Sequence, residues 1–155
     1  SYSVTGVQTC ALPILSNTSS ISIHFRRGDY LNDQAMRAVH YVCLDEYYKK
    51  CINEVLKSIS EPHFFVFSDD PIWLREQMNL TVPYTVISND SNKSPVTDLW
   101  LMSLCKHNII ANSSFSWWGA WLNKNKGKRV FAPSKWFADP DRISQDLIPC
   151  EWERF

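Results

Sequence analysis

The chain has 155 residues, of which 45% are hydrophobic and 21% are charged, and its 16 basic and 16 acidic side chains cancel. These values fit one globular domain with a sizeable core. Zero net charge argues against a nucleic-acid binder or a general membrane-surface binder, so any phosphate binding must be local. No apolar run is long enough to span a bilayer and no signal peptide is recognisable, so we expect a cytoplasmic location, at most peripheral to a membrane.

The amino-terminal residues do not resemble the start of a domain. Val4–Ile14 resembles a translated sequencing adaptor, and Ser16–Ser20 has the composition of a loop. We therefore expect a non-native or unstructured leader at residues 1–19 and one folded domain at residues 20–155.

Residues 21–28 predict a buried strand that ends at a glycine. Alternate side chains of a strand face opposite sides, so His24 and Arg26 should share one side and Arg27 the other. A guanidinium beside an imidazole suits a diphosphate, whereas Arg27 and Asp29 could form a local ion pair. The alternative is that both arginines are solvated charges at a strand end.

Helices and strands alternate along the rest of the chain. The predicted helices cover 44–59 and 72–78, begin at Thr97 or Asp98, and follow residues 112–116 through Leu122; the predicted strands are His63–Phe67, Tyr84–Ser88, Asn108–Ala111 and Arg129–Ala132. Residues 31–40 and 89–95 read as loops, and 134–155 as a tail with little structure. This order predicts an α/β fold with a Rossmann-like, doubly wound parallel sheet.

Polar clusters follow three of the predicted strands. In parallel sheets, ligands bind outside the carboxyl ends of the strands, which is where these clusters should lie. Asp69 and Asp70 come after the second strand: one carboxylate could accept from the paired N–H donors of a guanine while the other caps a helix, or both could be caps. Residues 112–116 could form an anion site or contain an ordinary serine cap. We expect Trp117 and Trp121 to be core residues.

The five cysteines show neither a CxxC motif nor a Cys/His metal spacing. An odd number of cysteines scattered along the chain favours the interpretation that they are buried, reduced thiols of a cytosolic protein. No metal site is expected, and the remaining histidines lack a paired nucleophile signature.

Three motifs in order resemble the α1,2-fucosyltransferases, with a looser likeness to α1,6- and protein O-fucosyltransferases. The motifs are His24–Tyr30, Phe67–Pro71 and the most specific one, Asp98–Leu122, which contains Ser-Phe-Ser-Trp-Trp-Gly-Ala. The likeness extends from about residue 21 to about residue 137.

The resemblance implies one half of a GT-B glycosyltransferase, which is inverting and independent of metal, with GDP-fucose as donor and a galactose-terminated glycan as acceptor. The motifs belong to the donor-binding half, so the amino-terminal acceptor domain would lie outside this chain. By position, His24 and Arg26 would be catalytic on the diphosphate, and Asp69 would bind guanine. The other donor-binding residues implied are Arg27, Ser114, Phe115 and Ser116.

Two points stay open in the sequence. No general base is evident, and Asp33 is a guess. The chain could be an α1,2-fucosyltransferase fragment, a GDP-sugar-binding module without turnover, or an enzyme of the α1,6 or O-fucosyl type; a structural domain without a ligand is the least favoured reading.

Overall fold

The computed structural model describes residues 15, 17–40, 43–87 and 94–155. The expected leader up to residue 14 and most of the expected loop at 89–95 lie outside this part of the chain. Leu15 is buried in the core, and the first strand begins at Ser19.

The helices and strands alternate as the sequence predicts. In chain order they are β1 (Ser19–Phe25), α1 (Gly28–Asn32), α2 (Gln34–Val39), α3 (Asp45–Ser58), β2 (Pro62–Ser68), α4 (Pro71–Glu76), β3 (Tyr84–Val86), α5 (Pro95–Leu104), β4 (His107–Ile109), α6 (Ser114–Leu122), β5 (Val130–Ala132) and β6 (Glu153–Arg154).

Within the described ranges the strands form one six-stranded sheet in the order β3-β2-β1-β4-β5-β6, and every pairing is parallel. This is the Rossmann order, in which the strand order reverses between β1 and β4. The predicted α/β class and parallel sheet are therefore confirmed.

Helices cover both faces of the sheet, so successive side chains of its central strands pack into two different cores. Phe64 and Val66 of β2 pack with α3, while Phe65 and Phe67 pack with Leu101 and its neighbours on α5. Strands buried on both faces read as continuous apolar runs, which explains the sequence of β2.

Two segments expected to be irregular contain regular structure. The predicted loop at 31–40 includes α2 and the end of α1, because Asp33 accepts hydrogen bonds from the backbone N–H groups of Ala35 (2.8 Å) and Met36 (3.3 Å) and so begins α2. Helix α5 begins at Pro95 rather than at residue 97 or 98, with the Ser94 hydroxyl as its cap.

The tail at 134–155 packs against the sheet, contrary to expectation. Trp136 and Trp152 are buried in a core shared with Ala120 and Ala132. Its last strand, β6, extends the sheet beside β5. Burial of large aromatic side chains stabilises this segment although it has no periodic pattern.

The tryptophans of α6 are less buried than predicted. Trp118 and Trp121 are about half exposed, at 50% and 51%, while Trp117 is only partly buried. Gly119 and Ala120 fill the inner side of the helix: a Cβ at Gly119 would lie 2.9 Å from the Cβ of Met102 on α5. The close approach of the two helices directs the bulky rings outward.

A buried polar network joins β1, β4 and α6. The Asn108 amide donates to the Ser22 hydroxyl (2.7 Å) and to the Met102 carbonyl (2.9 Å), and its oxygen accepts from the Asn123 amide (2.7 Å). Each of these groups would be costly to leave unsatisfied away from water.

Replacing Asn108 by alanine is expected to lower the free energy of unfolding by about 2–4 kcal/mol, because the Asn123 amide and the Met102 carbonyl lose a buried partner. Urea unfolding followed by circular dichroism measures this change. The exposed Asn79 provides the matched control, and Asn79→Ala should change stability by less than about 0.5 kcal/mol. Equal stabilities of the two variants would contradict the importance of the network.

Candidate functional site

A cleft of about 210 Å³ opens at the carboxyl ends of β1 and β2 and against the first turn of α6. It is therefore at the edge of the sheet where Rossmann-type domains bind their ligands, beside the reversal of strand order. Its lining residues are His24, Arg26, Phe67, Ser68, Asp69, Pro95, Asp98, Met102 and Phe115.

The two arginines after β1 face opposite sides, as predicted. Arg26 lines the cleft. Arg27 turns away from it, with its guanidinium 4.3 Å from the centre of the Trp73 ring and its Nε 3.7 Å from Asp70. The predicted pairing of Arg27 with Asp29 is wrong, because Asp29 pairs with Arg26 instead, at 2.8 Å. The expected contact of the Arg27 side chain with a donor thus has no support from the shape of this cleft.

Arg26 has two carboxylate neighbours. Its guanidinium lies 2.8 Å from Asp29 and 3.2 Å from Asp69, and the Asp29 side chain is the more exposed of the two, at 42% against 23%. A planar guanidinium held by carboxylates on two sides keeps a fixed orientation. Because Asp29 is the more exposed partner, its contact with Arg26 is the more accessible of the two to solvent.

His24 is a neutral ring at the floor of the cleft. Only 4% of the residue is exposed, its Nδ1 has no hydrogen-bond partner among the described residues, and its ring centre lies 5.8 Å from that of Phe115. Burial, assisted by the positive charge of Arg26, lowers the pKa of His24 from its usual 6.5 to about 3. A neutral imidazole can donate one hydrogen bond and accept another, so His24 is suited to a polar ligand group rather than to charge neutralisation.

The neutral state of His24 predicts how stability depends on pH. Its pKa in the folded chain is lower than in the unfolded chain, so the unfolded chain binds a proton first as the pH falls below 6.5. Its contribution is complete above pH 6.5 and is lost toward pH 3, at up to about 1.4 kcal/mol per pH unit. Urea unfolding at several pH values across this range measures the free energy of unfolding. Its dependence on pH should be weaker in His24→Gln than in the unchanged protein, and equal dependence in the two proteins would contradict a buried neutral ring.

The two adjacent aspartates have separate roles. Asp70 accepts from the backbone N–H of Trp73 (2.9 Å) and caps α4, as predicted. Asp69 lines the cleft and accepts from the backbone N–H of Arg27 (2.8 Å). The absence of a side chain at Gly28 permits this, since a Cβ there would lie 2.6 Å from an Asp69 carboxylate oxygen.

Of the three residues predicted at the start of α6, the structure brings Phe115 to the cleft. Ser114 is exposed in the first turn. Ser116 is buried, and its hydroxyl donates to the carbonyls of Ala111 (3.3 Å) and Ser113 (3.2 Å), so it is directed at its own backbone. Ser113 occupies the N-cap position without a side-chain capping bond.

Asp98 is a cleft residue that the sequence reasoning missed. It is 5% exposed and lines the cleft together with Met102, one helical turn further along α5. The sequence contained a signal: Asp98 is the single charged residue of the mostly apolar α5, at i, i+4 spacing from a core methionine. Asp33, the guessed general base, instead uses its carboxylate to cap α2.

In the part of the chain that the structure describes, no three Cys, His, Asp or Glu side chains converge in a way that could hold a metal ion. None of the helices described here has the length and apolar character needed to cross a bilayer.

Fold and cleft together define a Rossmann-type parallel α/β domain with a charged, partly aromatic cleft at the carboxyl ends of its central strands. The chain belongs to glycosyl transferase family 11, whose family model matches residues 4–154. The resemblance read from the motifs is thus confirmed at the level of the family.

Curated relatives agree with this assignment. The chain is 42% identical over 125 residues to the O-antigen biosynthesis glycosyltransferase WbnK of Escherichia coli, covering 81% of this chain and 41% of the relative. It is 38% identical over 143 residues to an Escherichia coli alpha-1,2-colitosyltransferase, covering 91% of this chain and 49% of the relative. It is 30% identical over 103 residues to mouse galactoside alpha-(1,2)-fucosyltransferase 2, covering 66% and 30%. The chain thus spans about half the length of these relatives, or less.

Proposed function

We propose that the protein to which this chain belongs transfers L-fucose from GDP-fucose to the 2-hydroxyl of a β-galactoside, with inversion and without a metal ion. The observation that supports this most is the Arg26 guanidinium, held in a fixed orientation in a family 11 cleft beside the neutral His24 and the Phe115 ring. The chain supplies the donor side of the reaction in this proposal.

Charge development explains why a guanidinium suits this reaction. As the bond between fucose and the β-phosphate breaks, negative charge grows on the departing GDP and positive charge grows at the anomeric carbon. A preoriented Arg26 stabilises the departing phosphate most in the transition state. His24 donates a neutral hydrogen bond to the same diphosphate, and no metal is required for either contact.

The first experiment separates an enzyme from a binding module. Isothermal titration calorimetry measures GDP binding to this chain, and a radiochemical assay with GDP-fucose and lactose measures transfer and hydrolysis. Binding with turnover supports the enzyme, and binding without turnover supports the second candidate, a GDP-sugar-binding module. Absence of GDP binding would contradict both.

The donor sugar has one specific alternative. The relative that shares 143 aligned residues is named as a colitosyltransferase, which makes colitose a second candidate for the transferred sugar. Turnover of GDP-fucose and of GDP-colitose under the same conditions decides between them, and a higher kcat/KM for GDP-colitose would replace fucose in the proposal.

Two carboxylates compete for the role of binding guanine. Asp69 is our first choice, but its oxygens already contact Arg26 and the Arg27 amide, whereas Asp98 lies buried in the same cleft. Changing the residue that binds the base to asparagine should reduce the preference of the protein for GDP over ADP by about tenfold or more. A variant that only disturbs Arg26 should weaken both nucleotides equally.

Calorimetry with GDP and ADP on Asp69→Asn and Asp98→Asn makes this comparison. The exposed Asp146 gives a matched control, and Asp146→Asn should leave both affinities unchanged. Lost selectivity in Asp98→Asn together with retained selectivity in Asp69→Asn would move the guanine contact to Asp98.

The cysteines support a reducing compartment, which we propose is the cytoplasm. Among the described residues, Cys43, Cys51, Cys105 and Cys150 form no disulfide, and two of them are buried. Disulfides form in oxidising compartments, so four unpaired thiols favour a cytosolic protein.

A further inference from the structure

A second cavity, of about 270 Å³, lies against the carboxyl end of α6. Its lining residues are Trp121, Lys128, Val130, Pro149, Glu151 and Trp152. Val130 begins β5, so this cavity is at the amino ends of the strands, on the opposite edge of the sheet from the cleft. A cavity of this size accommodates one hexose ring.

Trp121 is a rigid aromatic platform at this cavity. Its ring stacks on Trp117 at 5.1 Å with an interplanar angle of 12°, although 51% of the residue is exposed. Trp117 is fixed in turn by its indole N–H, which donates to the Leu147 carbonyl (2.7 Å), and by contact with Trp152. An exposed indole that is already immobilised loses little conformational entropy when a ligand covers it.

The polar groups of the cavity complement the platform. The Lys128 ammonium donates to the carbonyls of Ala120 (2.8 Å) and Asn123 (2.8 Å) and is thereby committed to the end of α6. Glu151 is exposed and forms no hydrogen bond or ion pair with another described residue. An ionised carboxylate only accepts hydrogen bonds, so the complementary ligand offers hydroxyl donors and an apolar face.

We propose that Trp121 and Glu151 form a second carbohydrate site that binds one hexose of a β-galactoside glycan. The C–H groups on the apolar face of galactose pack on the indole, whose face carries negative charge density, and sugar hydroxyls donate to Glu151. The choice of a galactoside rests on the proposed function, while the site itself rests on the cavity.

Titration with lactose tests the site without any nucleotide. The probe is the set of indole N–H signals in ¹H–¹⁵N spectra of this chain. We expect one saturable shift with a millimolar dissociation constant. Trp121→Ala and Glu151→Gln should each weaken it at least tenfold. Trp100→Ala, which removes a similarly exposed tryptophan on α5, should leave it unchanged.

The outcomes are distinct from those of the nucleotide experiments. Absence of a saturable shift, or an unchanged dissociation constant in either variant of the pair, would overturn the site, whether or not GDP binds. Maltose serves as the comparison sugar because its glucose rings lack the axial 4-hydroxyl that gives galactose a continuous apolar face. Equal affinity for maltose would overturn the assignment to galactosides.

Discussion

Under the proposed function, Arg26→Ala in the full-length protein is expected to reduce fucose transfer by about 100- to 1,000-fold, the usual loss when one preoriented donor to a developing anion is removed. The charge neighbours of Arg26 add to the effect. Without the guanidinium, the carboxylates of Asp29 and Asp69 remain at the cleft and repel the diphosphate. Both kcat and the affinity for GDP should therefore fall, as measured by steady-state transfer to lactose and by calorimetry.

Two variants make this result interpretable. Arg75→Ala removes an exposed arginine of α4 and should leave activity unchanged. Arg26→Lys keeps the charge but lacks the planar fork, so it should retain only a small part of the activity. An Arg26→Ala protein that keeps most of its kcat would show that another group stabilises the departing phosphate.

Gly28→Ala should reduce GDP affinity roughly 10- to 100-fold, the value of a hydrogen bond to a charged group. The new Cβ would lie 2.6 Å from the nearer Asp69 oxygen and 3.3 Å from its Cγ, so the carboxylate must move. That movement displaces the oxygen that contacts Arg26 and so disturbs the orientation of the guanidinium. Calorimetry with GDP measures the loss.

The chain contains a matched control for this substitution. A Cβ at Gly127 would meet no atom within 4 Å, so Gly127→Ala should bind GDP like the unchanged protein. The folded content of both variants is compared by circular dichroism. Unchanged GDP affinity in Gly28→Ala would mean that the position of Asp69 does not matter for the nucleotide.

Local patterns were sufficient to predict the part of the site formed by β1 and β2. Alternation along β1 predicted that Arg26 and Arg27 face opposite sides, and a proline after Asp70 identified the cap of α4. Both features depend only on residues close in sequence, which is why strand periodicity and turn chemistry predict them.

The errors concern contacts between segments distant in sequence. Whether Asp98 faces the cleft depends on how α5 is rotated against the sheet, and a short, weakly amphipathic helix predicts this rotation only poorly. Trp121 was assigned to the core by residue type, although the close contact at Gly119 turns the tryptophans outward. The tail lacks periodicity, so its packing depends on shape alone.

The last strand also affects how the molecule behaves toward its copies. Arg129 of the loop before β5 forms two 2.6 Å hydrogen bonds with Glu153, so β6 is fastened to the sheet although it is only two residues long. A short, charged border strand offers little backbone for a neighbouring chain to pair with. Without β6, the apolar strand β5 (Val-Phe-Ala) would become the edge of the sheet, and its unpaired backbone groups could pair with a strand of another copy.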